Sequence, residues 1–267
     1  MKISPHAIID PRADVSPDAE IGPFCVIGPD VTIGAGTSLL SHVTVMGPTS
    51  IGHGNLISPQ VVLGGAPQDR KYKGAPTRLE VGDNNIIREG VTIHRGTEKG
   101  GGVTRVGSGN YLMCNVHLGH DVQFGSNCTI ANSVMVAGHV VILDNVVMGG
   151  GVGIHQFVTV GEYCFIGGAS RIHHDVPPFM RVDGADQVRG VNVKLLKASG
   201  YKQEEIEDLE QACRRLFYRK DESSFALVLE EFDTLNGISP SVKRLVEFLR
   251  QRTDGKYGRH LEAMRSR

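Results

Sequence analysis

Tryptophan is absent from the 267 residues, net charge is almost absent at −1, and no two cysteines have CxxC spacing. A near-neutral chain is a poor general nucleic-acid binder, which needs a markedly basic face. The five cysteines, Cys25, Cys114, Cys128, Cys164 and Cys213, are odd in number and unpatterned. They read as reduced thiols of a cytoplasmic protein rather than as a disulfide framework. The first residues hold one lysine and then Ile3-Ser4-Pro5-His6, without the apolar core of a signal peptide. No stretch approaches the roughly 18 consecutive apolar residues of a membrane span, so a soluble protein is expected. No serine or cysteine sits in a nucleophile-elbow context, which leaves covalent catalysis without a motif.

Glycine, by contrast, is abundant at 34 residues without a collagen period, as expected of a chain with many tight turns. From Val106 to Ile172 an aliphatic residue, once Phe and once Met, occupies every sixth position: Val106, Leu112, Leu118, Phe124, Ile130, Val136 and onward through Met148 to Ile172. Six matches neither the helical period near 3.6 nor the strand period of 2. It is the hexapeptide signature of a parallel β-helix. The same register starts at Ile9 and runs through Val15, Ile21, Ile27 and Ile33 to Leu63. Three hexads make one triangular coil, so residues eighteen apart stack at the strand spacing of about 4.8 Å. Parallel crossovers are normally right-handed. Hexapeptide proteins, which this chain resembles, are the left-handed exception.

The register breaks twice. Residues 64–78 and 94–104 read as loops inserted in the solenoid, and such insertions often map to a binding face. The hexads stop after Ile172, near Asp175-Val176-Pro177-Pro178. Helical spacing then links Ile206, Leu209, Ala212, Cys213, Leu216 and Phe217, and a second helix is predicted around Phe225 to Phe232, ending near Asn236-Gly237. Ser239-Pro240 opens a third, with a short helix or frayed tail at the end. The expected organisation is a β-solenoid over residues 1–189 followed by a small helical domain over 190–267.

His117-Leu118-Gly119-His120-Asp121 stands at one turn of the solenoid. His120 lies two residues past the register residue Leu118, near a corner, and histidine suits general-base work near neutral pH. The adjacent Asp121 is placed to orient its ring. His139 follows Asp121 by eighteen, so the two are expected to stack, and His94 and His155 each directly follow a register residue. One corner histidine is usually a solvated surface group, whereas several gathered by coil stacking with an aspartate point to chemistry. A zinc site from His117, His120 and His139 is the competing use of the same side chains. Gly64-Gly65, Gly100-Gly101-Gly102 and Gly149-Gly150-Gly151 precede no helix and read as corners and flexible loops rather than phosphate cradles.

Pro67-Gln68-Asp69-Arg70-Lys71-Tyr72, Thr92-Ile93-His94-Arg95-Gly96, the His117–Asp121 segment, Ala137-Gly138-His139, Ile154-His155-Gln156-Phe157, Asp175-Val176-Pro177-Pro178 and Gly190-Val191-Asn192 occur in an order and spacing that carry a resemblance. Over nearly the whole chain they resemble the acyl-carrier-protein–UDP-N-acetylglucosamine O-acyltransferases of lipid A biosynthesis. The resemblance implies a left-handed β-helix working as a homotrimer, with sites in clefts between neighbours. It implies His120 as general base on the sugar 3-hydroxyl, Asp121 as its partner, and Gly138 as a backbone N–H donor to the oxyanion. It further implies that Gln68, Asp69, Lys71, His94, His117 and His139 line the substrate cleft, and that His155, Gln156 and Asn192 hold the nucleotide. Gly168 takes the position that limits acyl-chain length. No cofactor or metal is implied; the acyl donor rides on the phosphopantetheine of acyl carrier protein.

The sequence departs from that pattern after Asn192. Lys194, Ala198 and Ser199 stand where family members carry a Glu and an Arg pair, so Lys194 or Lys197 is the candidate replacement charge. Arg214-Arg215, Arg219-Lys220, Lys243-Arg244, Arg250 and Arg252 form a candidate patch for an acidic carrier protein, against the plainer account of a solvated helix face balanced by glutamates. His173-His174 has no role in the resemblance. Acylation of a 3-amino sugar, a CoA-dependent acetyltransferase and a zinc solenoid of carbonic-anhydrase type are the alternatives. The related N-acyltransferase of lipid A assembly carries an extra domain before its solenoid, for which hexads starting at Ile9 leave no room.

Overall fold

The computed structural model describes residues 2–218, 224–234 and 238–264. The hexads form the walls of a left-handed parallel β-helix with three sheets, one per face of the triangle. On one wall Ile21, Leu39, Ile57, Ile87, Leu112, Ile130, Met148 and Ile166 lie in direct register. All of them are essentially inaccessible to solvent. Each two-residue strand sends one side chain inward, and six residues carry the chain round to the next wall. This is why the period is neither 2 nor 3.6. A single coil has no core of its own, so cohesion comes from the aliphatic column running from coil to coil.

The corners turn through left-handed backbone. Asp121, His139 and Phe157, eighteen residues apart, have φ of 61°, 62° and 64°. This conformation is uncommon for residues with a Cβ. The repeat therefore puts these three side chains at one corner of successive coils, whatever their chemistry.

The two insertions leave the stacking intact. Buried asparagines bridge the coils around them: the Asn85 N–H and Nδ2 both donate to Asn55 Oδ1 at 2.9 Å, across 30 residues instead of eighteen. The Asn110 N–H donates to Asn85 Oδ1 at 2.9 Å across 25, and the Cys128 N–H to Asn110 Oδ1 at 2.8 Å across 18. The expected loop boundaries shift inward. Gly64 and Gly65 extend the strand Val62–Gly65, and Gly65 pairs with His94, which ends the strand Thr92–His94. The excursions proper are 66–77 and 95–102, since strands resume at Arg78–Val81 and Val103–Val106. Arg95 clamps the first excursion, donating to the Gly64 carbonyl at 2.9 Å and lying over the Tyr72 ring.

At the far end the hexads give way to an antiparallel hairpin, Met180–Asp183 with Gln187–Val191, which the periodicity did not announce. Then come α1 (Val193–Ala198), α2 (Gln203–Phe217), α3 (Phe225–Thr234), α4 (Pro240–Asp254) and α5 (His260–Ala263). The expected apolar faces are buried, Ile206, Leu209, Cys213 and Leu216 on α2 and Val242, Leu245 and Leu249 on α4. Pro240 opens α4 as expected, but Ser239 makes no capping bond, and its buried hydroxyl has no partner among the described residues. The expected stop at Asn236-Gly237 and the terminal Arg265-Ser266-Arg267 lie outside the described residues. Among the described residues no helix is long and apolar enough to cross a membrane.

The asparagine ladder carries a stability expectation. Asn85→Ala strands the buried Asn110 N–H and leaves Asn55 Oδ1 short of donors, so it should destabilise by about 1–3 kcal/mol in urea unfolding. Thr32→Ala on the outer wall should stay within about 0.5 kcal/mol. Equal effects would show that the ladder contributes nothing special.

Candidate active site

His117–Leu118 is a wall strand with Leu118 in the core; Gly119, His120 and Asp121 then turn the corner into Gln123–Phe124. Asp121 is 4% exposed. A carboxylate so placed must be hydrogen-bonded. Its Oδ1 accepts the Thr97 N–H at 2.7 Å, and its Oδ2 accepts the Thr97 hydroxyl at 2.7 Å and lies 2.8 Å from His120 Nδ1. Its own N–H donates to Thr104 Oγ1 at 2.8 Å. Burial pushes the Asp121 carboxyl up, but the bonds from His120 and Thr97 outweigh it and hold its pKa below the ordinary carboxylate value. An ionised carboxylate only accepts, so the His120 proton sits on Nδ1. In the neutral ring this leaves Nε2 as a proton acceptor. His120 keeps some solvent access and Asp121 keeps almost none.

His139 completes the corner, as the eighteen-residue spacing predicts. Its Nε2 is 3.6 Å from Asp121 Oδ2 and its ring meets that of His120 edge-on, centroids 5.0 Å apart. The other face of His139 stacks on Phe157 at 4.6 Å with the planes 4° apart. Gly138 underlies the His120 ring: a Cβ there would stand 2.6 Å from Cε1 and 2.7 Å from Nε2. Only glycine leaves that ring its place.

These groups open into a cleft of about 1020 Å³ that also takes in Gln68, Asp69 and Lys71 from the first insertion and Gln156 from the next coil. A slightly larger groove, about 1130 Å³, lies between another wall and α4 near Glu162, Tyr201 and Arg244. It holds no imidazole, and its buried Glu162 is ion-paired with Arg244, so the His120 cleft is the candidate active site.

The other predicted residues lie elsewhere. His117 points from the wall, with Nδ1 2.8 Å from Thr92 Oγ1 and its ring 5.3 Å from that of His94. His94 Nδ1 is 2.6 Å from the Ala66 carbonyl. His117 and His155 line a separate shallow groove of about 370 Å³ with Arg171 and His173. Asn192 is buried, its Nδ2 donating to the Tyr163 carbonyl at 2.9 Å. Gly168 stacks over Gly150, whose carbonyl would be 3.3 Å from a Cβ. Lys194, Ala198 and Ser199 are exposed on α1 and its end. Zinc would not find the expected ligand set, because His117 is on the other groove. Among the described residues the group with metal-compatible spacing is His120, Asp121 and His139, with ligand atoms within 4.8 Å of one another. Much of the basic patch is engaged: Arg215 pairs with Glu231, Arg244 with Glu162, and Arg250 donates to the Leu229 carbonyl. Arg219 and Lys220 lie outside the described residues. Thr97, which fixes Asp121, was missed because the insertion removes it from the register.

Comparison with known proteins agrees with this architecture. A family model for domain 2 of UDP-N-acetylglucosamine O-acyltransferase matches residues 175–257. The UDP-N-acetylglucosamine acyltransferase of Francisella novicida is 38% identical with a TM-score of 0.88, covering 92% of this chain and 90% of its own. The UDP-N-acetylglucosamine O-acyltransferase of Moraxella catarrhalis is 39% identical (TM-score 0.88; 92% of this chain, 96% of its own). The Arabidopsis UDP-N-acetylglucosamine acyltransferase is 32% identical (TM-score 0.83; 93% and 96%). With these relatives, the hexapeptide β-helix is that of an acyltransferase. Within that class, the chain belongs to the UDP-N-acetylglucosamine O-acyltransferase family.

The wall histidines carry a pH expectation. Burial pulls the His94 and His117 imidazoles below their ordinary value. The unfolded chain therefore binds protons more readily, and their cost to stability is absent above about pH 6.5 and grows as pH falls below it. Asp121, also held low, has the same sign, but its contribution is lost only as pH falls through and below the usual carboxylate range. Urea midpoints should fall between about pH 7 and pH 5, and His117→Gln should flatten that slope. An unchanged slope would place the acid sensitivity elsewhere.

Proposed function

We propose that the protein transfers a 3-hydroxyacyl chain from acyl carrier protein to the 3-hydroxyl of the glucosamine in UDP-N-acetylglucosamine, opening lipid A biosynthesis in the cytoplasm. The observation that carries this reading is the buried Asp121 carboxylate 2.8 Å from His120 Nδ1, at the cleft that His120 lines, an arrangement that favours the Nδ1–H tautomer and leaves Nε2 as the base. The sugar oxygen attacks the thioester carbonyl as Nε2 takes its proton; the C–O bond forms and the C–S bond breaks. The proton then passes from His120 to the departing thiolate. Asp121 stabilises the imidazolium in between. An alcohol and an activated thioester need only a base, in keeping with the missing nucleophile motif.

Gly138 is the proposed oxyanion donor. Its N–H has no hydrogen-bond partner among the described residues, and the residue lies against the His120 ring, where a Cβ would collide. Gln68, Asp69, Lys71 and His139 are assigned to the sugar nucleotide, with Lys71 supplying a cation for its phosphates. His94, His117, His155, Gln156 and Asn192 are assigned to holding the nucleotide and reactive ends. Within one chain the His117–His155 groove and the His120 cleft are separate, and a homotrimer is the proposed means of uniting them. No bound cofactor is required, because pantetheine arrives with the donor.

Acyl transfer from 3-hydroxyacyl carrier protein to UDP-N-acetylglucosamine tests the reading. His120→Ala, shown to be folded, should lose about 10²–10⁴-fold in kcat, with the wild type indifferent to chelators. Wild-type turnover that a chelator abolishes would instead favour a metal at His120, Asp121 and His139. Gly168→Met should shift the preferred donor to shorter chains; an unchanged chain-length profile would remove Gly168 from the acyl site.

A further inference from the structure

Beyond the last residue matched by the family model, 257, the chain turns back and enters the catalytic cleft. Lys256 and Arg259 pair across a tight turn in which Tyr257 and Gly258 both have positive φ, and α5 follows. This strap, residues 255–264, is built onto the last coil. Buried Asp175 accepts the Thr159 N–H of the solenoid on Oδ1 and the His260 N–H of the strap on Oδ2, each at 2.7 Å. The Asp175 N–H donates to the Gly258 carbonyl at 2.8 Å. Arg259, 8% exposed, donates to the His173 carbonyl at 2.8 Å, and Gly258 packs against the His174 ring. The His173-His174-Asp175 run thus holds the strap in place.

The strap places Leu261, Glu262, Ala263 and Met264 in the lining of the cleft that contains His120. The Glu262 carboxylate is engaged by Arg259, so what remains toward the cleft is mainly hydrocarbon, with Lys256 at the turn. The opposing insertions contribute Lys71 and Lys99, cations suited to a phosphate-bearing substrate. Phe157 and Val141 continue the apolar side. The cleft lining thus offers both cations for an anionic substrate and hydrocarbon for an apolar one.

We propose that the strap is part of the acyl-donor site, with Leu261 and Met264 as specificity-determining residues in contact with the hydrocarbon of the acyl thioester. The assignment rests on the acyl-transfer reading above. It is tested by calorimetric binding of two unreactive amide analogues of 3-hydroxyacyl-pantetheine, one short and one long, and of UDP-N-acetylglucosamine. The double variant Leu261→Ser, Met264→Ser should bind the long analogue about tenfold more weakly, with a smaller loss for the short one. Affinity for the nucleotide should stay within about twofold, and Leu261→Met alone should bind the analogues as the wild type does. Unchanged analogue binding, or equal weakening of analogue and nucleotide, would overturn the assignment while leaving the reaction class standing. A folded wild type that binds neither analogue would contradict acyl transfer itself, and the strap's role with it.

Discussion

The Asp121 carboxylate is the point on which the site depends. It is buried at a solenoid corner, ionised, and hydrogen-bonded by three donors from two segments: the N–H and hydroxyl of Thr97 and the imidazole of His120. Burial alone would favour the neutral acid, which would donate a proton and lose its hold on the His120 tautomer. The bonds from His120 and Thr97 together reverse that balance. The second insertion is therefore more than a tolerated excursion, because it supplies the donors that keep a charge stable inside the protein.

Around this point the solenoid acts as a positioning device. Coil stacking brings Asp121, His139 and Phe157 to one corner, and Phe157 backs the ring of His139. Gly138 leaves the space that His120 fills. None of these placements requires a flexible loop to find its conformation. The rigidity derives from the aliphatic column and the asparagine ladder, which keep the coils in register across both insertions. Such preorganisation suits a reaction in which positioning and electrostatics do most of the work.

The solenoid, the corner and the helical faces were legible in the sequence because each follows from a local period. Leu118 must point inward, so His120 must leave the core; Asp121 and His139 are eighteen apart, so they stack. Features made by long-range contacts were not legible. Thr97 meets Asp121 across 24 residues through an insertion with no period. Asp175 holds His260 across 85, and the sequence offered only a motif of unknown purpose on one side and a tail on the other. The 180–191 hairpin was missed because the hexad count simply ends there. Ser239 has the backbone of an N-cap, but its hydroxyl makes no capping bond.

The geometry makes one state of one ring the centre of the account: neutral His120 with its proton on Nδ1 and its lone pair on Nε2. Nitrogen-15 NMR of histidine-labelled protein, with His120 assigned by its loss in His120→Gln, reads that state directly. A pyrrole-type Nδ1 and a pyridine-type Nε2 are predicted at neutral pH, with the preference lost in Asp121→Ala. A pyridine-type Nδ1 in the wild type, or a tautomer indifferent to Asp121, would contradict the role assigned to that carboxylate.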